Sequence, residues 1–171
     1  MQVLIVYESH FGNTRRVAAA IARGLPAGAT AELVDIDSAP PLDQVRADLL
    51  IIGAPTHVFG LSRPDSRREA LEQAGLPDGA RRGIREWLAQ LPAGLPPVAV
   101  YDTRTLESRL PGSAARAVAR RLRRAKVTMV GTPANFAVHG IEDPLAPGEE
   151  ERAAAWARGL LTEVPTDVAP G

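Results

Sequence analysis

Val3-Leu4-Ile5-Val6-Tyr7-Glu8-Ser9-His10-Phe11-Gly12-Asn13-Thr14-Arg15-Arg16-Val17-Ala18-Ala19-Ala20-Ile21-Ala22 is the stretch whose reading decides the fold. An apolar run of strand length ends in a small polar turn, and apolar residues then recur at helical spacing. A strand that turns directly into a helix makes an anion site, because the first helical N–H groups lack carbonyl partners and the dipole favours negative charge there. Ser9, Asn13 and Thr14 add side-chain donors, and Gly12 lets the backbone bend close to a ligand. Such a loop holds a phosphate without a lysine or a metal. The same residues also suit plain helix capping, and the loop by itself leaves both readings open. Two other phosphate fingerprints are absent: no G-x-x-x-x-G-K-[ST] occurs, and no G-x-G-x-x-G follows the first strand. Without those glycines, Asp35 and Asp37 after the second strand read as solvated strand-end charge.

The chain of 171 residues is long enough for one domain with a substantial core, and its 45% hydrophobic and 23% charged content is that of a globular protein. It contains no cysteine, so disulfides, thiolate zinc sites and iron–sulfur clusters are excluded. No apolar stretch is long enough to span a membrane, and no export signal precedes the first strand, so a cytoplasmic protein is expected. Net charge is zero but uneven: residues 63–126 carry fourteen basic against seven acidic groups, and residues 127–171 two against seven. The basic middle third reads either as a positive surface or as ordinary solvated helix faces. Nucleic-acid binding is not expected, since basic tails, interleaved aromatics and reader motifs are missing.

Further along, Ala31–Ile36 reads as a second strand with an exposed side, and Asp48–Gly53 as a central strand buried on both faces. Arg81–Leu91 reads as a helix with Ile84, Trp87, Leu88 and Leu91 inward. Pro97–Tyr101 is a fourth strand, and Ser113 caps a helix to about Ala125. Lys126–Gly131 is expected as the fifth strand, extended by Asn135–Val138. Glu149–Leu161 is the last helix, with Trp156 in the core. Strands alternating with helices imply a parallel sheet covered on both faces. Residues 1–163 are read as a single domain and 164–171 as a short loose tail.

The run Ile5–Thr14, continuing to Ala18 and Ile21, resembles the flavodoxin signature: two apolar residues, an aromatic, a hydroxyl residue, a small residue, Thr, Ala and an aliphatic at set offsets. Phe11 departs from it, standing where many flavodoxins carry a hydroxyl. The resemblance implies an α/β/α three-layer, doubly wound, five-stranded parallel sheet of strand order 2-1-3-4-5, with a crevice between strands one and three. It also implies FMN as cofactor, its phosphate wrapped by Ser9, His10, Phe11, Gly12, Asn13 and Thr14. The exit of the third strand, Pro55, Thr56, His57, Val58, Phe59 and Gly60, resembles the second flavin loop, with Pro55, His57 and Phe59 as ring cover. Tyr101, Asp102, Thr103 and Arg104 occupy the third loop, which lacks the glycine-rich or acidic forms familiar from flavodoxins.

No catalytic residue is assigned: there is no G-x-S-x-G elbow and no Cys–His pair. His10, His57 and His139 lack metal-ligand spacing in the sequence, so no metal is expected. A flavin would carry the electrons while the protein supplies position and electrostatics. Two functions follow: an electron carrier between redox partner proteins, or an FMN-dependent NAD(P)H oxidoreductase of the quinone-reductase type. A flavodoxin fold that has lost flavin is the third. Arg63, Arg67, Arg104 and Arg109 are expected to flank the ring and raise its reduction potential.

Overall fold

The opening apolar run forms strand β1 (Gln2–Tyr7), and the periodic segment after Gly12 forms helix α1 (Asn13–Gly24). The remaining elements are β2 (Thr30–Asp35), β3 (Leu49–Pro55), α2 (Pro64–Gln73), α3 (Ile84–Trp87), β4 (Val98–Thr105), α4 (Ala114–Arg124), β5 (Ala134–Val138) and α5 (Glu149–Leu160). The structure is a computed structural model that describes residues 1–57, 60–73, 75, 82–106, 112–140 and 144–164. Val58, Phe59, Arg109 and the expected tail beyond Val164 lie outside the described residues.

All strand pairs are parallel, in the order β2-β1-β3-β4-β5. The two-residue period of the strands divides the core in two. Val3, Ile5 and Tyr7 of β1, with Leu49 and Ile51 of β3, face α1 and α5. Leu4, Val6, Leu50 and Ile52 face the other way, against Ile84, Trp87 and the apolar side of α4. β3 is buried along nearly its whole length, as its unbroken apolar sequence requires. β2 is a half-exposed edge strand. Among the described residues, no helix is long and apolar enough to cross a membrane.

Three expectations are corrected. The fifth strand is Ala134–Val138, whereas residues 126–131 contribute only a bridge from Met129 to Val98. Lys126 and Gly131 both take positive φ (60° and 66°) and Pro133 follows, so the chain turns twice where a continuous strand was expected. The segment expected as an 81–91 helix is helical over Ile84–Trp87 in the described part. β4 runs on past Tyr101 to Thr105, so Asp102, Thr103 and Arg104 are strand residues and the loop begins later. Helix α2 was not read from the sequence at all, although Pro64 at its first position and Asp65 in its first turn are start signals.

Gly53 decides how β4 meets α1. It stands opposite Tyr101 in the register. A methyl group on Gly53 would overlap the Tyr101 ring. That ring is 1% exposed, packs edge-on with Phe136 and Trp156, and its hydroxyl donates to the Thr14 carbonyl at 3.0 Å. The ring cannot yield without breaking that bond. Gly53→Ala is therefore expected to destabilise the fold by roughly 1–3 kcal/mol, the usual cost of overpacking, measured as a lowered denaturant midpoint at unchanged slope.

Candidate functional site

At the C-terminal edge of the sheet the chain enters α1 through Gly12, held at φ 86°. This left-handed turn is open to glycine, and no side chain caps the helix from that position. Asn13 and Thr14 are the first helical residues, so the capping reading of them does not hold. Ser9 does cap from outside, its Oγ accepting the Arg15 N–H at 3.3 Å. The Thr14 and Thr103 hydroxyls lie 2.9 Å apart and tie the helix start to β4. One bond between two hydroxyls uses one proton, so the pair retains a second to donate.

Beside this turn lies a cleft of about 540 Å³, within the range of small-molecule sites. The first loop supplies Ser9, His10, Phe11, Asn13 and Thr14, and the second Pro55, Thr56 and His57. β4 contributes Thr103 and Arg104. The opposite wall was missed by sequence reasoning: Ser66, Glu69, Ala70 and Gln73 of α2, and Val138, His139 and Gly140 at the end of β5. The α2 start signals were available, whereas nothing in the sequence around His139 marks it as facing this cleft.

Other expected site residues are placed behind the wall. Tyr101 is in the core beneath α1. Asp102 is fully buried and faces α4: its Oδ2 accepts from the Thr56 hydroxyl at 2.9 Å, the Ser113 hydroxyl at 2.6 Å and the Ala115 N–H at 3.0 Å. It thus clamps the β3 exit to the start of α4, with Oδ1 lacking a hydrogen-bond partner among the described residues. Gly60 exchanges two backbone bonds of 2.9 Å with His57 and closes the second loop. The expected basic surround is reduced to Arg104 among the described residues, with Glu69 in the same cleft. Arg67 turns inward and is 1% exposed. Its Nη1 donates to Ser62 Oγ and its Nη2 pairs with Glu86, each at 3.0 Å.

Glu8 is buried directly after β1. Its Oε2 accepts the Ile84 N–H at 2.9 Å, and its Oε1 lies 3.1 Å from His10 Nε2. Burial pushes its pKa up, but hydrogen bonds from His10, Ser62 and Ile84 outweigh that and hold it below the usual carboxylate value. A carboxylate accepts only, so His10 Nε2 is the donor. The His57 ring stands edge-on to His10, centroids 5.7 Å apart. Burial, then the neighbouring His10, lower the His57 pKa to about 4; Arg67 adds to this and Glu8 opposes it. Sequence spacing conceals this grouping, because Glu8 and His10 come from one loop and His57 from another.

In the unfolded chain His57 takes up a proton near its ordinary value of 6.5, while the folded protein resists protonation down to about pH 4. The unfolded state therefore binds more protons in that window, and stability falls as pH drops through it. Denaturation of EDTA-treated protein is expected to show a loss on the order of 2 kcal/mol from this group between about pH 7 and about pH 4.5. His57→Gln is expected to flatten that part of the curve.

Residues 5–85 match the family model described as Flavodoxin. No curated protein sequence matches the chain significantly. Among solved structures, oxidised flavodoxin 2 from Bacillus cereus superposes with a TM-score of 0.68 at 19% identity, covering 95% of this chain and 99% of that one. Oxidised flavodoxin 1 from the same organism gives 0.67 at 16% identity, covering 96% and 100%. A flavodoxin, WrbA-like protein from Agrobacterium tumefaciens gives 0.54 at 19% identity, covering 94% and 95%. The strand order and these superpositions show that the chain has a flavodoxin-like fold, and the family model matches its residues 5–85.

Proposed function

We propose that the cleft binds FMN and that the protein carries electrons between redox partners. The observation that carries this reading is that the α1 start and the Thr14–Thr103 hydroxyl pair line the same cleft as Phe11, Pro55 and His57. The donors suit a phosphate monoester: the Ser9 hydroxyl, the spare proton of the threonine pair, and first-turn N–H groups aided by the helix dipole. Phe11, Pro55 and His57 offer flat or apolar cover for a ring, and Val138 lines the same cleft. Bound there, FMN supplies reversible electron transfer, and the protein orients it and sets its electrostatic surroundings. Arg104 is the cation on this chain that borders the cleft among the described residues, and its charge favours the reduced, more negative cofactor.

Titration with FMN, followed by flavin absorbance and fluorescence, tests the reading. Saturable binding is expected, weakened about tenfold by Ser9→Ala, the loss of about 1.4 kcal/mol that one hydrogen bond to a charged group contributes. A protein that ignores excess FMN rejects the proposal. Anaerobic NADPH then separates the two flavin functions: slow reduction without a partner protein supports the carrier, and rapid reduction the NAD(P)H oxidoreductase. In the FMN-loaded protein, Arg104→Ala is expected to lower the reduction potential by something on the order of tens of millivolts. An unchanged or raised potential would remove the role given to Arg104.

A further inference from the structure

The carboxylate of Glu8 and the imidazoles of His10 and His57 bring three ligand atoms within 4.8 Å of one another. We propose that this trio binds one divalent zinc-type ion, with a fourth coordination position open to the cleft. The chemistry is that of open zinc sites, which use three protein ligands from the imidazole and carboxylate set and leave one place for water or another ligand. At zinc-to-ligand distances of about 2.0–2.2 Å, neighbouring atoms of a tetrahedral shell lie about 3.3 Å apart. Glu8 Oε1 and His10 Nε2 are already at 3.1 Å. Their separation therefore needs little adjustment when the proton between them is exchanged for the ion and passes to solvent. His57, from the other loop, completes the set, its ligand atom lying within 4.8 Å of the other two and needing to approach them by up to about 1.5 Å.

The trio is built into the fold. The Glu8 carboxylate is anchored by the Ile84 N–H through Oε2, which leaves Oε1 to turn toward the histidines. The Glu8 and His10 side chains are 1% and 5% exposed, so the pair is shielded from competing solvent. Charge also suits a cation. Arg67 lies close by, but Glu86 pairs with it at 3.0 Å, and hydrogen bonds from His10, Ser62 and the Ile84 N–H hold Glu8 as a carboxylate ready to ligate. Both imidazoles line the cleft, which supplies the entry path. This site uses none of the donors assigned above to the phosphate, and its test needs no flavin.

The full chain, stripped with EDTA and free of flavin, is titrated with Co2+ as a spectroscopic stand-in for zinc. The expected result is saturation at one ion per chain with the intense visible absorption of four-coordinate cobalt, abolished by adding Zn2+. His57→Gln and Glu8→Gln, each checked for native circular dichroism, are expected to weaken binding by at least the roughly 10–100-fold that even outer-shell changes cost. Because Glu8→Gln keeps an acceptor for the Ile84 N–H, it separates a lost ligand from a lost fold. Only weak six-coordinate cobalt in the native protein, or tight binding unchanged in folded His57→Gln, would overturn the assignment. FMN binding measured separately on the same samples keeps its outcome distinct from this one.

Discussion

The cleft takes its shape from where the first turn of α1 is held, and that turn is held by β4. Two contacts do it: the Tyr101 hydroxyl on the Thr14 carbonyl, and the Thr103 hydroxyl against the Thr14 hydroxyl. Because β1 and β4 are separated by β3, these bonds span the middle of the sheet. Gly53 makes the first possible by leaving its own side of β3 bare under the Tyr101 ring. The start of α1 is thereby fixed over the strand ends, beside the cleft. In a doubly wound sheet the reversal of strand order opens such a crevice between β1 and β3, and the threonine pair fixes how it is furnished.

A second constraint is the polar cluster under the cleft floor. Glu8, Ser62 and Arg67 are all buried, and a lone charge there would be costly. They survive as a chain of contacts: Arg67 to Ser62, Ser62 to Glu8, Glu8 to the Ile84 N–H, with Glu86 pairing Arg67 from the α3 side. The cluster joins the end of β1, the start of α2 and the start of α3, three segments distant in sequence. It also sets the electrostatics of the histidines above it. Asp102 acts similarly on the other side, linking the β3 exit to the start of α4 through Thr56 and Ser113.

The parallel sheet, its central strand and the helix after Gly12 were legible because each rests on local periodicity and on the residue chemistry of one turn. Leu49–Ile52 has no polar residue to expose, and the Val17–Ile21 spacing admits only one inward face. The fifth strand was displaced because Lys126 takes positive φ to close α4, the Val127 N–H bonding back to the Leu122 carbonyl, and Gly131 turns the chain again, neither of which a pattern of side-chain hydropathy reports. Tyr101 and Asp102 were expected at a ligand because strand length is not written in hydropathy: the four polar residues Asp102 to Thr105 remain in the ladder with β5. Arg67 was expected to flank the ring because buried arginines are rare, and only the contacts with Ser62 and Glu86 make its burial tolerable.

By itself the sequence determined the strand–turn–helix at its start, the alternation that makes a covered parallel sheet, and the small polar side chains of the first turn, since all of these are set within a dozen residues. Tertiary structure alone decided which of the candidates face the cleft, that α2 and the end of β5 form its far wall, and that Glu8 and two histidines meet. Those outcomes depend on side chains brought together across long sequence separations, where burial and the need to satisfy each polar group select the partners.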